Sequence, residues 1–168
     1  MPRTRTLLAG AGLALGARSL MNRLLLEKFR ADVRALNGGD YSGLLSGYAD
    51  DAVLAFNDGS HRWAGEHRGK DAIEVFLRDF TGAGLQGEVL ELWTSGPPWA
   101  MSIAARFDDH AVGPDGERIY ENQVVVVIRT RMGKIVRHED YYSDTARITA
   151  FEERLNELGI VPQTDLRV

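Results

Sequence analysis

Five β-branched residues stand in a row at Val124-Val125-Val126-Val127-Ile128, and this run limits the fold more than any other feature of the chain. Such side chains lose rotamer freedom in a helix and pack well on a pleated sheet. The run predicts a strand over Arg118 to Arg131, buried on both faces at its centre. Turn-forming residues bracket it, Gly113-Pro114-Asp115-Gly116 ahead and Met132-Gly133 behind. Similar punctuation separates Gln86 to Thr94, Trp99 to Asp109 and Lys134 to Tyr142, so the second half reads as one antiparallel meander.

The first half carries a different period. Leu25, Phe29, Val33 and Leu36 recur at steps of four, four and three, which places them on one helical face. Asn37-Gly38-Gly39 ends that helix. Asp40 can cap a short second helix that turns Leu44, Leu45 and Tyr48 inward. Ala52 to Phe56 and a short piece around Arg62 to Ala64 read as strands. A third helix is expected from Lys70 to Phe80, with Ile73, Phe76, Leu77 and Phe80 as its buried stripe. Asp144 can cap a last helix that buries Ile148, Phe151, Leu155 and Leu158. Helices followed by a long meander define an α+β domain, and long strands curl instead of staying flat. The expected architecture is a cone-shaped, strongly curved, mostly antiparallel sheet of about six strands. Three to four helices pack on it and leave a concave, ligand-sized interior.

Residues 24–160 carry this domain, with 161–168 as a tail. In residues 1–23, Arg3 and Arg5 precede an apolar run from Leu7 to Ala17, and Arg18 follows. That order resembles a secretory signal or weak anchor. The run is shorter than the ~20 residues of a membrane-spanning helix, and the blander alternative is a helical extension of the first domain helix or a start codon called too early. A cytoplasmic location is expected, with export or membrane contact through residues 1–23 as the alternative. The formal net charge of -4 argues against a nucleic-acid partner. The absence of cysteine excludes disulfides, cysteine nucleophiles and thiolate metal sites. His61, His67, His110 and His138 match no metal-ligand spacing, so no metal and no cofactor are expected.

Three segments resemble the nuclear transport factor 2-like, or SnoaL-like, superfamily. They are Tyr48-Ala49-Asp50-Asp51-Ala52, the stretch Gly65-Glu66-His67-Arg68-Gly69-Lys70-Asp71-Ala72-Ile73, and Gly133-Lys134-Ile135 through His138-Glu139-Asp140-Tyr141-Tyr142. Their order fits from Leu24 to Leu158. The resemblance implies the curved-sheet fold, in a superfamily of hydrolases, isomerases, polyketide cyclases and non-catalytic binders. Within it, Arg106-Phe107-Asp108 and Asp140-Tyr141-Tyr142 are similar to the catalytic strands of the limonene-epoxide-hydrolase-like group. That group also uses a Tyr and an Asn on its first strand, where this chain has Leu54 and Phe56. The first segment is similar to ketosteroid isomerase as well, with Phe56 at the position of its base.

Residues two apart on a strand share a face. Arg106 and Asp108 therefore go together, beside the small Ser102 and Ala104, and His138, Asp140 and Tyr142 go together on the last strand. If both faces line the interior, Arg106 sits between two carboxylates. Two close carboxylates do not both ionise cheaply, so one becomes an acid and the other a base. Epoxide opening requires such a pair. Arg106, Asp108 and Asp140 are the expected catalytic residues. Phe56, His61, Trp63, Trp99, His138 and Tyr142 are the expected lining for a small apolar molecule. The bland alternative is a cross-strand ion pair beside packing aromatics. Two function classes stay open: a cofactor-independent epoxide hydrolase, isomerase or cyclase, and a non-catalytic ligand-binding or dimerisation module. A homodimer is expected, because a strand apolar on both faces leaves an outer surface to cover.

Overall fold

The computed structural model describes Leu20 and residues 23–162. The expected signal or anchor falls almost wholly outside the described residues, as does the tail from 163 onward. The chain divides into two units, Met1–Ala31 and Asp32–Val168. Helix α1 covers residues 23–37. Within the first unit its Arg30 and Glu27 pair at 3.5 Å, one turn apart. No described helix is long and apolar enough to cross a membrane.

The second unit contains helix α2 (Ser42–Gly47), strand β1 (Tyr48–Phe56), strand β2 (Gly65–Arg68) and helix α3 (Lys70–Gly82). Strands β3 (Leu85–Ser95), β4 (Ser102–Val112), β5 (Arg118–Arg131) and β6 (Lys134–Tyr142) follow, and helix α4 (Thr145–Glu157) closes the series. The strands form one curved, open sheet in the order β2-β1-β6-β5-β4-β3. Every pairing is antiparallel except β1 with β6. That parallel pairing carries the first strand back beside the last.

Local chemistry explains several joints. Between β5 and β6, Met132 and Gly133 have φ of 50° and 79°, and Arg131 pairs with Lys134. A two-residue hairpin with both central residues at positive φ matches the right-handed twist of the strands it joins. Asp144 accepts hydrogen bonds from the backbone of Ala146 and Arg147 at 3.0 and 3.3 Å, as a helix N-cap should. Helix α3 packs on β1, β2 and β3, and α4 on β5. The core includes Tyr48, Leu54, Trp63, Ile128, Phe151 and Leu155. Burial of each such side chain stabilises the fold by roughly 1.5–3 kcal/mol.

Three expectations are corrected. Strand β5 is buried on one face only: Val124, Val126 and Ile128 are inside, while Val125 is 36% exposed. Its helical cover comes from α4 on that one side. The short second strand starts at Gly65, because Ala64 N donates to His61 O and closes a turn over Arg62 and Trp63. Leu158 is the C-cap of α4 and not a buried residue.

Candidate acid-base site

Strand β4 decides which carboxylates meet. Its Ile103, Ala105, Phe107, Asp109 and Ala111 are buried. Ala105 pairs with Val126, and Val126 pairs with Asp140, so these three share the inner face. Arg106 instead lies in a row with Val125 and Tyr141 on the outer face. There it pairs with Glu91 at 2.8 Å, the two side chains 44% and 46% exposed. Asp108 is also outside and accepts from Gln123 Nε2 at 2.9 Å. The expected cluster of Arg106, Asp108 and Asp140 therefore does not form. The inner carboxylate of β4 is Asp109, one residue along.

On the inner face, Asp140 belongs to a string of polar side chains. His138 donates from Nε2 to Asp140 Oδ1 at 2.8 Å. The other ring nitrogen, Nδ1, is bonded by the Tyr48 hydroxyl. Burial first, and then the charge of Asp140, push the Tyr48 phenol well above its ordinary range. It stays protonated, so its hydroxyl can donate to Nδ1 while Nε2 carries a proton to Asp140. The pairing of β1 with β6 makes this contact, since Tyr48 registers with Ile135 and Leu54 with His138.

A separate hydrogen-bonded pair on this face joins β6 to β4. Tyr142 donates its hydroxyl to Asp109 Oδ2 at 2.8 Å. Asp109 is 5% exposed. Burial raises its carboxyl pKa to about 7, and the charges of Asp140 and Asp108 add to the rise, while the Tyr142 bond opposes it. Burial, then Asp109 and Asp140, also hold the Tyr142 phenol well above its usual value. Gly87 makes room on the neighbouring strand: a Cβ there would stand 3.1 Å from Asp109 Oδ1. Its backbone is held on both sides by Asn37, at 2.9 Å each.

Asp109 also lines a cleft of about 490 Å³ at the end of β4 and β5. Arg118, Arg147, His110 and Ser143 are among the other walls. Asn122 stiffens this region by donating to Asp144 O at 2.7 Å and accepting from Ser143 Oγ at 3.0 Å. The buried carboxyl thus borders a polar opening. Among the described residues no group of three acidic or imidazole side chains could hold a metal ion.

The expected lining residues divide. His138 bonds Asp140, and Tyr142 bonds Asp109. Phe56 packs on Tyr142 with ring centres 5.0 Å apart, and on His61 at 5.5 Å. Trp63 is fully buried and stacks on Phe151 at 5.8 Å. Trp99 is in the loop between β3 and β4 and is 62% exposed, so it lines no interior surface.

A family model for the SnoaL-like domain matches residues 29–138. The chain belongs to the SnoaL-like domain family. Among curated proteins none matches it. Solved structures resemble this SnoaL-like chain at low identity. A nuclear transport factor 2-like protein of unknown function from Burkholderia pseudomallei is 23% identical, with 76% of this chain and 95% of that one covered and a TM-score of 0.64. TerC, co-crystallised with polyporic acid, is 20% identical over 76% and 97%, with a TM-score of 0.61. A Mycobacterium tuberculosis protein in complex with estradiol-17beta-hemisuccinate is 23% identical over 73% and 95%, with a TM-score of 0.60. At these identities the likeness establishes the fold.

Asp109 joins this candidate site although the catalytic reading of the sequence omits it, and Tyr48, which that reading turns inward, enters it through the His138 contact. For Asp109 a signal exists, because it continues the apolar alternation of Ile103, Ala105 and Phe107. For Tyr48 the sequence gives the inward direction, but not the partner, which is 90 residues away.

Proposed function

We propose that this SnoaL-like domain is a cofactor-independent acid-base enzyme acting on a small, largely apolar molecule, with Asp109 and Asp140 as its proton-transfer pair. One observation carries the reading: a single interior face holds two carboxyls with different partners. Asp109 sits under a tyrosine hydroxyl with a pKa of about 7. Asp140 is held by His138, which is held by Tyr48. A group poised near neutrality both gives and takes protons efficiently. Carboxyls whose surroundings separate their behaviour divide into acid and base. Epoxide opening, isomerisation and cyclisation all need that division. Two fold relatives crystallised with organic ligands, polyporic acid and estradiol-17beta-hemisuccinate, support the small-molecule part of the reading.

The test is turnover on a panel of terpenoid epoxides and β,γ-unsaturated ketones by the unmutated protein, Asp109→Asn and Asp140→Asn. Either substitution should cost ~10²–10⁴-fold in rate, and the double variant should be little worse than one. Full activity in Asp140→Asn would end the acid-base assignment. Tight ligand binding with no turnover across the panel would select the non-catalytic binding alternative.

We also propose that the outer face of the sheet joins two copies of the chain. Half-exposed Trp93 begins a cross-strand row through Ala104 and Val127 to Glu139, and the next row runs Glu91, Arg106, Val125 and exposed Tyr141. Exposed aromatic and β-branched side chains on one sheet face, here flanking the Glu91–Arg106 pair, are a usual association surface. Light scattering should give twice the 18.6 kDa chain mass. A monomer mass throughout the micromolar range would refute the dimer.

A further inference from the structure

Two ring nitrogens near the turn after β1 are buried without a hydrogen-bond partner among the described residues: His61 Nδ1 and Trp63 Nε1. Trp63 is 1% exposed, and an indole N–H buried in that way is usually satisfied. The rings lie 6.2 Å apart between centres, and Phe56 faces both, at 5.5 Å from His61 and 6.3 Å from Trp63.

The two nitrogens are complementary. Burial lowers the His61 pKa, so the ring is neutral and carries one proton. A backbone hydrogen bond with Asn57 favours the protonated ring. A hydroxyl that donates to Nδ1 selects the tautomer with the ring proton on Nε2. Nδ1 is left as a bare acceptor, while Trp63 Nε1 can only donate. Gly59 leaves room for the ring, since a Cβ there would stand 2.8 Å from His61 Cδ2. Arg62 cannot serve either nitrogen. Its guanidinium lies over the Trp63 ring at 5.6 Å and is held by Glu152 at 2.8 and 3.1 Å.

One acceptor and one donor, both inside an otherwise aromatic wall, call for a group that donates and accepts through a single atom. We propose that His61 and Trp63 form a hydroxyl-recognition subsite, in which one O–H of a largely apolar ligand donates to His61 Nδ1 and accepts from Trp63 Nε1. Such a bridge needs the oxygen about 2.9 Å from each nitrogen. A methyl group satisfies neither nitrogen, and a methoxy oxygen satisfies Trp63 alone. The subsite does not depend on the acid-base reading, and its test reads binding and not turnover.

The probes are 2-naphthol, 2-methoxynaphthalene and 2-methylnaphthalene, measured by equilibrium dialysis against the unmutated protein, Trp63→Phe and His61→Phe. The unmutated protein should prefer 2-naphthol over 2-methylnaphthalene by about tenfold, with 2-methoxynaphthalene below 2-naphthol. Both variants keep an aromatic ring, and both should bind the two hydrocarbon-sized probes alike while 2-methylnaphthalene affinity stays unchanged. That last affinity also reports that each variant is folded. A crystal structure with 2-naphthol should put its oxygen between the two nitrogens. Equal affinities in the unmutated protein, including no binding of either probe, would overturn the proposal. So would a preference that survives both substitutions, or a water that holds the bridging position while the naphthol lies elsewhere.

Discussion

Asp109 and Tyr142 belong to strands separated by β5, yet the Tyr142 hydroxyl reaches Asp109 Oδ2 at 2.8 Å. The bond crosses β5 because Asp109 registers with Asn122 and Tyr142 with Val124, two positions apart on one face. This hydroxyl is the polar counterweight to a buried carboxyl, and it opposes the rise in pKa that burial causes.

The first prediction follows from the raised Asp109 pKa. The folded value of about 7 exceeds the ordinary value of 3.8, so the folded state holds this proton longer than the unfolded chain. Its contribution to stability is fully present below pH 4 and is lost as the pH rises to about 7. Asp109→Asn keeps the shape and never ionises. It should flatten the stability profile in that window and be more stable than the parent at pH 8, by on the order of 4 kcal/mol at most. Urea unfolding at several pH values measures this. Equal slopes for both proteins would contradict it.

Tyr142→Phe removes the donor that opposes the rise. The Asp109 carboxyl should then titrate above 7 in carbon-13 NMR. Stability at pH 8 should fall by about 1.5–3 kcal/mol, the range for a hydrogen bond to a charged group.

Tyr48→Phe leaves His138 Nδ1 without its hydroxyl partner. The imidazole can then change tautomer or turn away from Asp140. Denaturant unfolding should register a loss of ~1–3 kcal/mol, and turnover should drop with kcat and not KM. An unchanged kcat would remove Tyr48 and His138 from the proton path.

Arg106→Ala should do little. Its partner Glu91 shares an exposed outer face, and such pairs are worth under about 1 kcal/mol. Activity should survive. A dead Arg106→Ala enzyme would mean that the outer face takes part in the chemistry.

The residues make clear why some of this is legible from sequence and some is not. The β-branched run, the four-four-three spacing and the Met132-Gly133 turn each act locally, and the strands and helices follow from them. The inner face of β4 is also written in Ile103, Ala105, Phe107 and Ala111, yet the Arg-x-Asp resemblance points to the opposite parity. A one-residue shift on a strand exchanges every side chain between faces, and Asp108 gives way to Asp109. Trp93 turns outward because Leu90 is an extra residue between the pairs Val89–Phe107 and Glu91–Arg106. Nothing in the local pattern of β3 marks that bulge. The contact of Tyr48 with His138 depends on the parallel pairing of β1 and β6, which only the complete sheet creates.

The central claim is that Asp109 and Asp140 form one coupled acid-base unit. Carbon-13 NMR titration of the Asp109 carboxyl, in the unmutated protein and in Asp140→Asn, tests it without a substrate. The account predicts an apparent pKa of about 7 in the first and a lower value in the second, because the neighbouring charge that raises it is gone. A pKa near 4 in the unmutated protein, or one unmoved by Asp140→Asn, would contradict it.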